Sequence, residues 1–246
     1  MSSISYPNAV AVFCGSRPGN EPAFTHAARS VGVAIARSGT GFVYGGGSKG
    51  IMGTASGAAL EAGAKVTGVV PYAMVKDGKE VHKASNETNG KEDKYVLLHE
   101  RGREQVETIV VHSMHERKVE MSKRVRGFIG LPGGFGTFEE LLEVTTWSQI
   151  GMHEKPVVIL NVLGFYNPLR ELIQSGVRLG FIQPEGEGLV IFIDGPSDLS
   201  THEYFDWGSP ALSAIASWRA PAKQYAFDWT KQLADGPEKH TALDAS

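Results

Sequence analysis

The sequence predicts an α/β fold, a doubly wound parallel sheet with helices on both faces. Three observations carry that expectation. Short apolar runs alternate with segments of helical spacing. The runs are almost continuously apolar, as strands are when both faces of their sheet are covered. Glycine-rich turns follow Phe13, Tyr44 and Leu131, each at the end of a predicted strand. Parallel strands bring their C-terminal ends to one edge, so all three turns open on the edge where such sheets bind ligands.

Ala9–Phe13 reads as the first strand, ending at the turn Cys14-Gly15-Ser16-Arg17-Pro18-Gly19. A helix follows from about Pro22 to Ser38, with Phe24, Ala28, Val31 and Ile35 on one face. Gly41–Tyr44 is a second strand, and Gly45-Gly46-Gly47-Ser48-Lys49-Gly50 its turn. An alanine-rich helix from about Ile51 to Ala62 leads to a third strand, Lys65–Val70. From Tyr72 to about Arg101 the chain is polar and aperiodic, an excursion on the ligand edge that reads either as a lid or as a plain insertion. The spacing of Val110, Met114, Met121 and Val125 predicts one long helix from Glu104 to Val125. Gly127–Gly130 is a strand, Glu139–Trp147 a helix, Pro156–Asn161 a strand, Asn167–Leu179 a helix and Leu189–Ile193 a strand. Residues 1–219 read as one domain and 220–246 as an extension with little core of its own.

Composition narrows the class. The 246 residues are 41% hydrophobic, enough for a sizeable core, and carry 24 basic and 27 acidic side chains for a net charge of −3. Well-mixed charge of that size is not the footprint of a nucleic-acid binder. Cys14 is the single cysteine, so no intrachain disulfide forms and a reducing compartment is expected. The N-terminal residues lack a basic-then-apolar pattern, and no apolar run reaches a membrane span. A cytoplasmic protein without nucleic-acid or membrane partners is the expectation.

The run from Leu131 to Glu140 concentrates the chemistry. A glycine-rich turn between strand and helix exposes unpaired N–H groups at the positive end of the helix dipole, a phosphate site. Two carboxylates, Glu139 and Glu140, follow beside it. Gly45-x-Gly47-x-x-Gly50 fits the dinucleotide pattern, but the third strand ends in Val69-Val70-Pro71, without the acidic residue that holds a ribose. Close approach of backbone to a phosphate or ribose is the preferred reading, and tight strand–helix packing the structural alternative. Thr137-x-x-Glu140 also spells a capping box, and Arg117 could simply pair with Glu120 on its own helix. His112-x-x-His115 has no matching third ligand, so no metal is expected. Cys14 reads as part of the site wall.

Met114-His115-x-Arg117-Lys118, followed by Pro132-Gly133-Gly134-x-Gly136-Thr137-x-x-Glu140, resembles the LONELY GUY (LOG) family, cytokinin riboside 5′-monophosphate phosphoribohydrolases once mislabelled lysine decarboxylases. The similarity runs from about Ala9 to Ile193 and includes Cys14-Gly15-Ser16, Tyr44-Gly45-Gly46-Gly47, Gly50-Ile51-Met52-Gly53 and Trp147-x-Gln149-x-Gly151. The resemblance implies a Rossmann-like fold and a homodimer or larger homo-oligomer that hydrolyses the N-glycosidic bond of a nucleoside monophosphate without a cofactor. It implies Arg117 and Glu140 as the catalytic pair. Ligand contacts would come from Lys118, Gly133, Gly134, Phe135, Gly136, Thr137 and Thr146, with Gly15, Ser16, Gly46 and Gly47 on the neighbouring turns. Glu100 is the nearest candidate for a substrate-contacting glutamate of the excursion, which is longer and more polar than in short members. Lys49 and Lys118 have no recognisable pyridoxal phosphate partner, so the decarboxylase label is rejected. A non-catalytic nucleotide carrier of the same fold is the alternative.

Overall fold

The computed structural model describes residues 7–76, 96, 97, 100–219, 227 and 229. The readings made for most of the excursion and of the C-terminal extension fall outside those residues. The predicted elements appear in order: β1 (Ala9–Phe13), α1 (Pro22–Arg37), β2 (Gly41–Tyr44), α2 (Gly50–Glu61) and β3 (Val66–Pro71). Two short strands, β4 (Val75–Lys76) and β5 (Val96–Leu97), pair with each other in parallel. Then come β6 (Glu107–Val111), α3 (Met114–Lys123), β7 (Phe128–Gly130), α4 (Phe135–Gln149), β8 (Val157–Leu160), α5 (Asn167–Arg178), β9 (Val190–Ile193) and α6 (Gly208–Ser217).

The seven-stranded sheet has the order β6-β3-β2-β1-β7-β8-β9, and every pairing in it is parallel. β1 is the centre: Ala11 sits opposite Val43 on one side and Phe128 on the other. The chain builds outward from β1 to β6, then crosses back and builds outward again from β7. The order of strands therefore reverses between β1 and β7, which is where such folds open a ligand crevice.

Both faces of the sheet are covered, which explains the continuously apolar strands. Val10, Val12, Phe42, Tyr44 and Val66 face a core shared with α1, α2 and α6. Ala11, Phe13, Val43, Phe128 and Ile159 face a second core with α3 and α4, where the Phe13 and Phe128 rings stack at 5.7 Å. Close helix contact comes from small residues: a Cβ on Gly32 of α1 would strike the backbone of Ala55 and Ala59 of α2. Trp229 reaches the second core and donates its indole N–H to the Ile150 carbonyl at 2.8 Å.

One predicted element is corrected. The long helix from Glu104 to Val125 is a strand followed by a shorter helix. Glu107-Thr108-Ile109-Val110-Val111 is mostly β-branched and pairs with β3 from Thr67 to Pro71, which outweighs its accidental helical spacing. The helix begins only at Met114, where Ser113 accepts from the Glu116 N–H and the Glu116 carboxylate accepts from the His112 N–H. Among the described residues no helix is long and apolar enough to cross a membrane.

Candidate active site

Three turns meet at the C-terminal edge of the sheet. The Gly15 N–H donates to the Pro132 carbonyl at 3.1 Å, and the Gly15 carbonyl accepts from Met52 N–H at 3.0 Å. Glycine is required where they touch. Gly50 has φ +61, and a Cβ there would overlap the Ser16–Arg17 peptide, while one on Gly133 would overlap the Thr137 side chain and stand 2.8 Å from Gly15 N. The β1, β2 and β7 turns thus form one continuous backbone surface. It borders a cavity of about 240 Å³ lined by Gly15–Gly19, Phe24, Ile51, Pro132–Gly134 and Phe165. The wider groove of about 850 Å³ runs along α1 to residues 203–212, away from these turns.

α4 starts at Phe135 with Gly134 at its N-cap, and no side chain caps it. Its first N–H groups therefore point at the crevice with the dipole behind them. Phe135 is 91% exposed at this rim, whereas Thr137 is buried against Gly133. The helix starts earlier than the sequence suggested, and this overturns the capping-box reading. Glu140 lies in the second turn, too far in to cap the helix.

Glu140 instead meets Arg117. Arg117 Nη1 stands 3.1 Å from Glu140 Oε1, with both side chains about nine-tenths buried, so the alternative pairing of Arg117 with Glu120 is not the one formed. Glu120 pairs with Arg124. The N–H is not aimed at Oε1, so the contact is a charge pair with that oxygen's hydrogen-bonding capacity unused. Arg117 Nε donates to the Val69 carbonyl at 3.1 Å, and its other end lies against Gly45, where a Cβ would collide with Nη2. Burial raises the Glu140 pKa above the usual carboxylate value; Arg117 opposes this, and the neighbouring Glu139 adds to it.

Lys118 stands beside this pair, 2.6 Å from Glu139 and 2.8 Å from Glu143. Desolvation acts to lower its pKa, but the two carboxylates outweigh it and the net shift is upward. Glu143 was not singled out from the sequence. Its spacing of four residues from Glu139 on α4 was the available signal. Cys14 is buried behind the turns, and burial, then Glu140, pushes its thiol pKa far up, which suits a wall and not a nucleophile.

Two predicted residues are not brought to the pair. Thr146 lies about 9 Å along α4 from Glu140 at 1.5 Å per residue, and its exposed hydroxyl bonds back to the Leu142 carbonyl. Glu100 is half-buried on the α2 side near Tyr44, and no described contact joins it to Arg117 or Glu140. His112 and His115 are both exposed.

A family model described as "Possible lysine decarboxylase" matches residues 52–202, more than half of the chain. The chain is 42% identical over 192 residues to the probable cytokinin riboside 5′-monophosphate phosphoribohydrolase LOG4 of Oryza sativa subsp. japonica, covering 78% of this chain and 74% of that protein. The chain belongs to the LOG family. The Arabidopsis thaliana cytokinin riboside 5′-monophosphate phosphoribohydrolase LOG5 is 42% identical over 188 residues, covering 76% of this chain and 72% of that one. Among solved structures, the Moco carrier protein of Chlamydomonas reinhardtii is similar at TM-score 0.51 and 19% identity, covering 87% of this chain and 99% of that one, a likeness of fold alone. The family model's wording fits this LOG member poorly. Lys118 is held protonated by two carboxylates, and Lys155, whose pKa burial lowers to about 8, precedes β8 at the opposite edge of the sheet.

Proposed function

We propose that this chain hydrolyses the N-glycosidic bond of adenosine 5′-monophosphates, N6-prenylated (cytokinin riboside monophosphates) or plain, giving free base and ribose 5-phosphate. The observation that carries the reading is the buried Arg117–Glu140 pair beside an uncapped helix start. The substrate phosphate sits on the N–H groups from Gly133 to Gly136, the Thr137 N–H being held by the Gly134 carbonyl, with Gly15, Ser16, Gly46 and Gly47 lining the adjoining turns. The C1′–N9 bond breaks, its electron pair leaves with the base, and water attacks C1′. Glu140, as the carboxylate, stabilises the oxocarbenium character of the ribose and takes the proton of the attacking water. Arg117 balances the negative charge on the departing base, which finally takes up a proton. No step needs a cofactor or a metal.

Lys118 then faces the nucleotide while Glu139 and Glu143 hold its position. Thr146 and Glu100 stand outside the described site and are ligand contacts only if another chain or the excursion completes it. A homodimer or larger homo-oligomer in the cytoplasm belongs to the same proposal, supported by the family resemblance and tested by light scattering in solution. The carrier alternative leaves the buried Arg117–Glu140 pair without a use.

Chromatography of products from N6-isopentenyladenosine monophosphate and from AMP tests the reaction. We expect the native chain to release free base and Glu140→Gln to do so about 10²–10⁴-fold more slowly. Bound but intact nucleotide would sink the hydrolase reading in favour of the carrier. A Gln variant with native turnover would remove Glu140 from catalysis.

A further inference from the structure

Arg103 belongs to no motif, yet its guanidinium makes three hydrogen bonds to distant parts of the chain. Nη1 donates to the Tyr44 hydroxyl at 3.2 Å and to Ser56 Oγ at 2.9 Å, and Nη2 donates to the Gly53 carbonyl at 2.7 Å. Tyr44 and Ser56 are buried; the Ser56 hydroxyl itself donates to the Met52 carbonyl at 2.8 Å, so Arg103 occupies the acceptor side that this bond leaves open. The positions of these partners matter. Tyr44 is the last residue of β2, and Gly53 lies in the first turn of α2. Arg103 therefore grips both ends of the turn 45–49.

That turn is one wall of the Arg117 socket. Gly45 lies directly against the guanidinium, Gly46 turns with φ +85, and Gly46 and the Tyr44 ring both abut Gly68. The residue after Gly68 is Val69, whose carbonyl receives Arg117 Nε. Val96 of β5 approaches the same turn, 3.7 Å from where a Gly46 Cβ would stand. A lysine at 103 could not reproduce this grip, because a single ammonium lacks the two-nitrogen fork that reaches both sides at once.

We propose that Arg103 is a positioning residue: by clamping both ends of the 45–49 turn it fixes the wall that holds Arg117 against Glu140. The inference rests on the hydrolase reading above for its effect on turnover, and the test separates the two. Arg103→Lys, Arg103→Met and Tyr44→Phe are compared with the native full chain by steady-state kinetics, thermal unfolding and amide hydrogen exchange without nucleotide. Displacing a catalytic group by a fraction of an ångström predicts kcat about tenfold lower with KM within about twofold for the Arg103 variants. Faster exchange should be confined to amides 45–50. The Arg103→Met/Tyr44→Phe double variant should be no worse than the poorer single, because both act through one clamp.

Native kcat in both Arg103 variants overturns the proposal. So does exchange that rises throughout the chain in step with a lowered melting temperature, the mark of a bond that only holds the fold. If the native chain releases no base from either nucleotide, the hydrolase reading fails, and exchange at 45–50 alone then decides for or against the clamp.

Discussion

At Gly45 a Cβ would fall where Arg117 Nη2 now lies, and the obstacle is the far end of a flexible side chain. Gly45→Ala should therefore move Arg117 without breaking the fold. We expect kcat/KM about 10²-fold lower with little change in melting temperature, read by steady-state kinetics and thermal unfolding of the same preparation. Glu140 adds a pH signature. Its carboxyl is held above the ordinary value by burial, so as a base it loses activity on acidification sooner than an exposed glutamate would. A plot of kcat/KM against pH should show an acid limb above the usual 4.5, absent from the residual activity of Glu140→Gln. The folded state favours the protonated form, so this group lowers stability as pH rises from 4.5 through its folded pKa. The Gln variant also leaves Arg117 facing an amide, so its stability is set by that pair and not by a cap.

Among the elements, those whose burial is two-sided were legible. β1, β2, β3, β7, β8 and β9 all read directly as largely apolar runs ended by glycine, proline or polar residues. β6 did not: unlike β9, the other edge strand, whose residues are all at least partly buried, it exposes Glu107, Thr108 and Val110, and its remaining pattern imitates a helix. The start of α4 was missed for a related reason. Glycine at its N-cap leaves no capping signal, while Thr137-x-x-Glu140 displays one that the fold uses for a charge pair. The capping pattern that does form, Ser113 with Glu116, sat inside the misread helix. α6 was not foreseen at all: its small residues, such as Gly208 against Ser30 and Ala34, give contact without periodicity. The same close packing predicts that Gly32→Ala, by forcing α1 off α2, costs about 1–3 kcal/mol. Urea denaturation should show that loss, and KM for the nucleotide should stay at its native value.

For the molecule as a whole, the edge that carries the site was legible because the three glycine-rich turns that follow strands had to lie on it. The pairing of Arg117 with Glu140 was legible only through the family resemblance and not from spacing, since the two come from helices separated by a strand. Buried groups far from the site were equally hidden. Burial, then the Lys155 charge, lowers the His153 pKa to about 3. The unfolded chain takes up that proton near pH 6.5 and the folded chain does not. This contribution to stability is therefore whole above 6.5 and is lost as pH falls toward 3. Denaturant titrations at pH 7 and 5 should show a loss of up to about 1.4 kcal/mol per pH unit, reduced in His153→Gln.

The central place of β1 has a consequence for synthesis. Ala9–Phe13 leaves the ribosome early, but the strand on one of its sides, Phe128–Gly130, is made more than a hundred residues later. Until then β1 is the outermost strand of a growing half-sheet, with bare amides and apolar side chains on both faces. A translation arrest before residue 128 would leave the nascent polypeptide with a sticky seam where the finished enzyme has its crevice, a natural place for a chaperone to hold it or for two stalled chains to join.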